Sequence, residues 1–142
     1  MPPIKRNTTK KNTAPATDSY GHLQPQAIEL EQAVLGALMI EKDAISQVGE
    51  ILKPDSFYDN RHKLIYQAIQ KLNFEQKPID ILTVTEQLKS SNHLEEVGGP
   101  FYITQLSSMV ASSAHIEYHA RIIAQKYAAR QLITFSSGIL ER

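Results

Sequence analysis

Two histidines four residues apart, in His115-Ile116-Glu117-Tyr118-His119, come nearest in this chain to the makings of a reactive centre. On a helix that spacing puts both rings on one face, a workable arrangement for two ligands of a zinc-like metal. Glu117 is misplaced for the His-Glu-x-x-His pattern, in which the glutamate directly follows the first histidine. The chain has no cysteine, so a third ligand would have to come from His22, His62 or His93. A metal-dependent hydrolase built on His115 and His119 stands as an alternative; surface or interface histidines are the plainer reading.

Other chemistry is harder to find. There is no Gly-x-x-x-x-Gly-Lys-Ser/Thr loop to hold nucleotide phosphates, no Gly-x-Ser-x-Gly elbow and no thiol nucleophile. Gly98-Gly99 is followed by Pro100, which removes an N–H that a phosphate cradle would need, so the pair reads as a turn. Carboxylates are scattered over helical faces and caps without an acid–base pair. The sequence therefore predicts no catalytic residue, no bound cofactor and no metal site in this stretch, and it directs attention to surfaces.

Composition agrees with an ordinary helical domain. The chain of 142 residues is 42% hydrophobic and 21% charged with a formal net charge of zero, which demands neither nucleic acid nor an acidic substrate. No apolar run approaches the ~20 residues that span a bilayer, so no membrane partner is expected. Met1 to Thr17 lacks the apolar core of a signal peptide. The absence of cysteine is compatible with a reducing cytoplasm.

The elements that would position any functional surface centre on Pro25 to Ile40. Pro25 suits a first helical turn, Glu29 and Glu31 suit the positive end of the dipole, and from Ala33 onward every side is apolar or small. This predicts a buried central helix. Gly36 inside it implies close approach of another backbone, or else a tolerated glycine. A second helix is expected from Ala44 to Leu52, with Ile45, Val48 and Leu52 on one face, ended by Lys53-Pro54-Asp55. Phe57 and Tyr58 should plug the core, and Asp59-Asn60 should cap a third helix from Arg61 to Glu75. Its apolar stripe is Leu64, Ile65, Ala68, Ile69 and Leu72. Asp80 should cap a fourth helix from Ile81 to Lys89, with a strand over Ile79 to Val84 as the competitor. A short helix from Phe101 to Met109 brings Tyr102, Ile103, Leu106 and Val110 inward, and Ser112 or Ser113 should cap the last element.

From His115 to Arg142 there is no proline and one glycine, Gly138, which predicts one long helix. Ile116, Ala120, Ile123 and Tyr127 form a seam that Ala128, Leu132, Phe135 and Ile139 continue. Ile122, Ala129, Ile133 and Leu140 form a second. Two seams need two partners, and the apolar pattern runs to the end without a clear cap. The chain therefore reads as a piece of a longer protein, with Gly138 as a natural stop the alternative. Residues 1–22 are polar and expected to be disordered; Lys5, Arg6, Lys10 and Lys11 there read as a solvated tail or as contacts to phosphates.

The order and wording of these segments resemble the N-terminal domain of DnaB-type bacterial replicative DNA helicases. The resemblance rests on Ile28 to Met39, on Phe57-Tyr58 with His62-Lys63-Leu64-Ile65-Tyr66, on Pro78 to Val84, on Leu94-Glu95-Glu96-Val97-Gly98-Gly99, and on Ser113-Ala114 with Ala120-Arg121-Ile122-Ile123. It implies an all-α fold: a compact helical head, residues 23–111, followed by the first arm of a long helical hairpin, residues 112–142. It also implies that the second arm and the ATPase motor lie outside this stretch, with ATP and Mg expected only for that motor. Implied partners are other copies of the chain, as a dimer or a trimer of dimers, a DnaG-type primase, and DNA through the full-length hexamer. The helicase-interacting domain of a primase, similar in fold, is the alternative. Where many family members have Asn-Thr-Pro, this chain has Met109-Val110-Ala111, which loosens the expected approach angle of the hairpin. The residues expected to pair hairpins are Ile116, Ile123, Tyr127, Ala128, Leu132 and Phe135; periodicity alone leaves open which of them pack internally.

Overall fold

The computed structural model describes residues 23–110 and 114–140, and the regular structure among them is helical. It comprises α1 (Ile28–Ile40), α2 (Ala44–Val48), a 3-10 turn (Pro54–Ser56), α3 (Asn60–Phe74), α4 (Ile81–Ser90), α5 (Gly99–Ser108) and α6 (Ile116–Leu140). Residues 34–39 of α1 are buried without a break. A helix hides every side only when neighbours surround it, and α3, α5 and α6 all pack on this one.

The start of α1 departs from expectation. Pro25 is not in the first turn; Ala27 is the N-cap, with φ −142° and no side-chain cap. The reason lies far along the chain, where Arg130 on α6 donates from Nη1 to the Pro25 carbonyl at 2.7 Å. That bond holds the segment before α1 against α6 rather than in the helix. Gly36 meets the close approach expected of it: a Cβ there would collide with the Leu106 carbonyl oxygen and lie 2.5 Å from the Val110 side chain. α5 therefore crosses α1 where α1 has no side chain.

α2 ends at Val48, short of the expected Leu52. Single turns continue through Ile51 and Leu52, but the Leu52 carbonyl is taken by the Tyr66 hydroxyl at 3.0 Å. Lys53, before Pro54, is extended, as proline requires of the residue preceding it. The apolar face is as read, with Ile45, Val48 and Leu52 buried. Phe57 is fully buried, its ring centroid 5.0 Å from that of Tyr66, while Tyr58 is only half-buried.

Caps follow simple chemistry. The Asp59 side chain accepts from Arg61 N at 2.9 Å at the head of α3. Asp80 and Thr83 form a reciprocal capping box on α4, which resolves Ile81 to Val84 as helix rather than strand. α3 and α4 close with a residue in the left-handed region, Gln76 at φ 57° and Asn92 at φ 61°, each followed by a six-to-one bond, Lys77 N to Leu72 O and His93 N to Leu88 O. α5 begins two residues earlier than expected because Pro100 fits its first turn and Gly98, at φ 102°, supplies the turn before it. Ser112 and Ser113, expected to cap α6, lie outside the described residues, as does the polar stretch 1–22.

The Gly36 contact generates a test. Gly→Ala in a helix interior ordinarily stabilises by about 1 kcal/mol. At Gly36 the sign should reverse, since overpacking costs about 1–3 kcal/mol and the obstructing atom is backbone. Urea unfolding should show Gly36→Ala destabilised. Gly138→Ala, with open space around it, should not be.

Candidate protein-interaction surface

α6 meets the head in its first half. Ile116, Ala120 and Ile123 are buried at 2%, 0% and 1% exposure, and α6 packs on α1, α2 and the 3-10 turn. Beyond them a polar clamp closes the contact. The Arg130 guanidinium donates to two carbonyls from separate segments, Pro25 O at 2.7 Å and Ser56 O at 3.0 Å. It lies 5.4 Å from the centroid of the Tyr58 ring and 5.6 Å from that of Tyr127. Burial lowers its pKa, and the nearby Glu31 carboxylate opposes that shift.

Towards its second half, α6 begins to leave the head. Leu132 and Phe135 are 65% and 66% exposed, Ala128 is exposed, and Tyr127 is half-buried with its hydroxyl accepting from Gln131 at 2.9 Å. The six residues expected on the pairing face therefore divide. Ile116 and Ile123 belong to the core of this chain, because the first half of the seam is the half that reaches α1. Ala128, Leu132 and Phe135 form the part left open. The head also exposes single large apolar side chains, Phe74, Leu82 and Phe101, on three different helices.

Beneath the surface lies a polar chain that sequence reasoning missed. Glu31, in the first turn of α1, is 1% exposed and His62 is fully buried. The Glu31 carboxylate accepts from Tyr58 N at 2.8 Å and Asp59 N at 3.3 Å, and contacts His62 Nδ1 at 2.8 Å. Because a carboxylate can only accept, Nδ1 carries the proton. In the neutral ring Nε2 is then the acceptor, and the Tyr102 hydroxyl, 2.6 Å away on α5, donates to it. Gln32 donates to the same hydroxyl oxygen at 3.4 Å. Arg61 covers the outer face of the Tyr102 ring at 4.3 Å and pairs with Asp59 at 2.8 Å. Among the described residues, no buried side-chain polar atom lacks a partner. The Glu–His–Tyr chain, with Glu31 and His62 sealed from solvent, ties α1, α3 and α5 together.

Burial pushes the Tyr66 hydroxyl up to about 12 and raises that of Tyr102, against lowering hydrogen bonds with Gln70 and Gln32 respectively. For Asp59, burial acts upward and is the largest single effect, but the side-chain and backbone hydrogen bonds from Arg61 and the guanidinium charge work against it, and the carboxyl sits below its usual value. Of the residues at which a metal was considered, His115 and His119 have ring centroids 6.5 Å apart. Glu117 between them pairs with Arg121 at 2.7 Å. No group of three histidine or acidic residues able to hold a metal occurs among the described residues, so the hydrolase alternative finds no third ligand there. An open groove of about 600 Å³, lined by Glu86, Lys89, Glu95 and Pro100 among others, mixes both charges. No described helix is long and apolar enough to cross a membrane.

Fold and surface together define an all-helical module whose open apolar area lies on a protruding helix, a form suited to binding other proteins. The comparisons place it more narrowly. A family model described as the DnaB-like helicase N terminal domain matches residues 23–125, and this chain belongs to that family. It is 50% identical over 112 residues to the replicative DNA helicase DnaB of Rhodothermus marinus, covering 79% of this chain and 12% of that protein. It is 42% identical over 119 residues to the replicative DNA helicase DnaC of Bacillus subtilis, covering 84% of this chain and 26% of that protein. The crystal structure of the N-terminal domain of DnaB helicase from Mycobacterium tuberculosis superposes with a TM-score of 0.80 at 36% identity, covering 82% of this chain and 81% of that one. A DnaB-like replicative helicase, described with its interactions with primase, superposes with a TM-score of 0.71 at 27% identity, covering 81% of this chain and 26% of that one. The chain thus spans from about an eighth to a quarter of the length of these curated relatives.

Two substitutions test the buried chain. Tyr102→Phe leaves His62 Nε2 buried without its donor and should cost about 1–3 kcal/mol in urea unfolding. Asp59→Asn keeps a good helix cap but removes the charge. A carboxyl whose folded pKa is depressed adds stability that is full above its unfolded value of about 3.9 and is lost as pH falls through the folded value. The stability of Asp59→Asn should therefore fall less steeply than that of the parent below about pH 4.

Proposed function

We propose that this domain is the assembly and primase-docking part of a hexameric replicative DNA helicase acting in bacterial DNA replication. The observation that carries the reading is the open apolar face on the distal part of α6, from Ala128 through Leu132 to Phe135. In this reading residues 23–111 are the head and residues 112–142 the first arm of a hairpin. The arms pair between copies, giving dimers and then a trimer of dimers. The neighbour described with its interactions with primase supports docking of a DnaG-type primase on the resulting collar. ATP and Mg would serve the motor of the whole protein, DNA would pass through the full hexamer, and the cytoplasm is the fitting location. The names of the relatives favour this reading over the primase-borne domain.

Titration calorimetry with the C-terminal domain of the cognate primase, with light-scattering mass recorded alongside, tests the docking. Saturable binding is expected, and a dimer that gave no heat would count against it. For assembly, Leu132→Asp with Phe135→Asp should lower the scattering mass to that of a monomer without shifting heat unfolding, because both side chains are about two-thirds exposed. An unchanged mass would sink the pairing face. Ile123→Asp should instead unfold the head, since it would bury an unpaired charge.

A further inference from the structure

Among the described side chains of α6, Arg130 is the one that hydrogen-bonds to the head. Before it, α6 is held by the apolar side chains of Ile116, Ala120 and Ile123 in the core. After it, Gln131, Leu132, Thr134, Phe135 and Ser136 are all exposed. Arg130 therefore stands where the helix leaves the head, about 10 Å of helix rise beyond Ile123, the last fully buried anchor.

Its partners make it more than another contact. The two carbonyls it engages belong to segments far apart in sequence, Pro25 ahead of α1 and Ser56 in the 3-10 turn before α3. Both carbonyls lie outside the α-helices, so the clamp also supplies donors that no helix ladder provides. Tyr58 and Tyr127 flank the guanidinium. A planar fork with rigidly spaced donors suits two divergent carbonyls between two rings, whereas a lysine ammonium is a single point on a flexible stem.

We propose that Arg130 is a positioning residue that sets the direction in which the distal half of α6 projects from the head. Without the clamp, the last firm hold is at Ile123 and Ala124, and the helix beyond them becomes a lever free to swing about that point. A swing there re-aims Leu132 and Phe135 relative to the head while leaving both side chains as exposed as before. The consequence for assembly rests on the pairing reading above; the direction of α6 within one chain does not.

The chain has no cysteine, which makes site-specific spin labelling direct. One label replaces Lys71, exposed on α3, and the other Ser136, exposed on α6. Double electron–electron resonance is recorded with label-bearing chains diluted in unlabelled chains, so that distances within one chain dominate. The parent should give one narrow distance distribution. Arg130→Met, which keeps the apolar stem and removes both donors, should broaden or shift it while heat unfolding of the head stays in place. Arg130→Lys should not restore the narrow distribution. A distribution in Arg130→Met superimposable on the parent overturns the proposal, and restoration by Arg130→Lys overturns the requirement for a planar fork. Light scattering of the same samples separates the two readings: a parent that does not self-associate defeats the pairing face and leaves the distance result standing.

Discussion

A carboxylate buried to 1% exposure is the constraint on which this head depends. Removing Glu31 from water is tolerable only if its charge is met by hydrogen bonds, and the structure spends the start of α3 on meeting it. The N–H groups of Tyr58 and Asp59 and the ring of His62 all turn towards it. That arrangement fixes where α3 begins relative to α1. His62 passes the constraint on through Tyr102 to α5, and α5 is pressed on α1 at Gly36. Apolar burial drives these helices together, but it is non-directional. The directional bonds of the polar chain and the close fit at Gly36 act together on their register.

The legible part of the sequence was what periodicity and local chemistry govern. Residues 34–39 are apolar or small on every side and proved buried on every side. Asp59 and Asp80 are caps because an aspartate before a helix meets free N–H groups within its own turn. The illegible part depends on distant partners. Pro25 had the look of a helix start, and no local signal shows that Arg130, 105 residues away, holds its carbonyl elsewhere. Glu31 reads only as a partner of the helix dipole, since a single carboxylate in a first turn looks alike whether it faces water or the core. The segment His62 to Tyr66 was noticed for its wording, not for the burial of His62 and Tyr66. The signal that could have found them is that two amphipathic side chains interrupt an otherwise apolar stripe at i and i+4.

The division of α6 follows the same logic. A continuous apolar seam from Ile116 to Phe135 reads as one surface, because helical periodicity records which side chains share a face and nothing about what covers them. Length decides what covers them. α1 is 13 residues, about 20 Å, and α6 is 25 residues, about 38 Å, so no neighbour of that size can cover all of α6. The overhang is a matter of geometry before it is a matter of function.

What the overhang does is then constrained by how it is attached. A helix end that extends past its last buried apolar contacts would be free to tilt, since nothing there fixes its direction. A surface presented at an undefined angle pairs weakly, because association must then also meet the cost of ordering it. Two directional hydrogen bonds and two flanking rings at the exit point remove much of that freedom before any partner arrives. A directional polar clamp at the rim of an apolar contact thus does for the projecting helix what Glu31 does for the head: it converts adhesion into orientation.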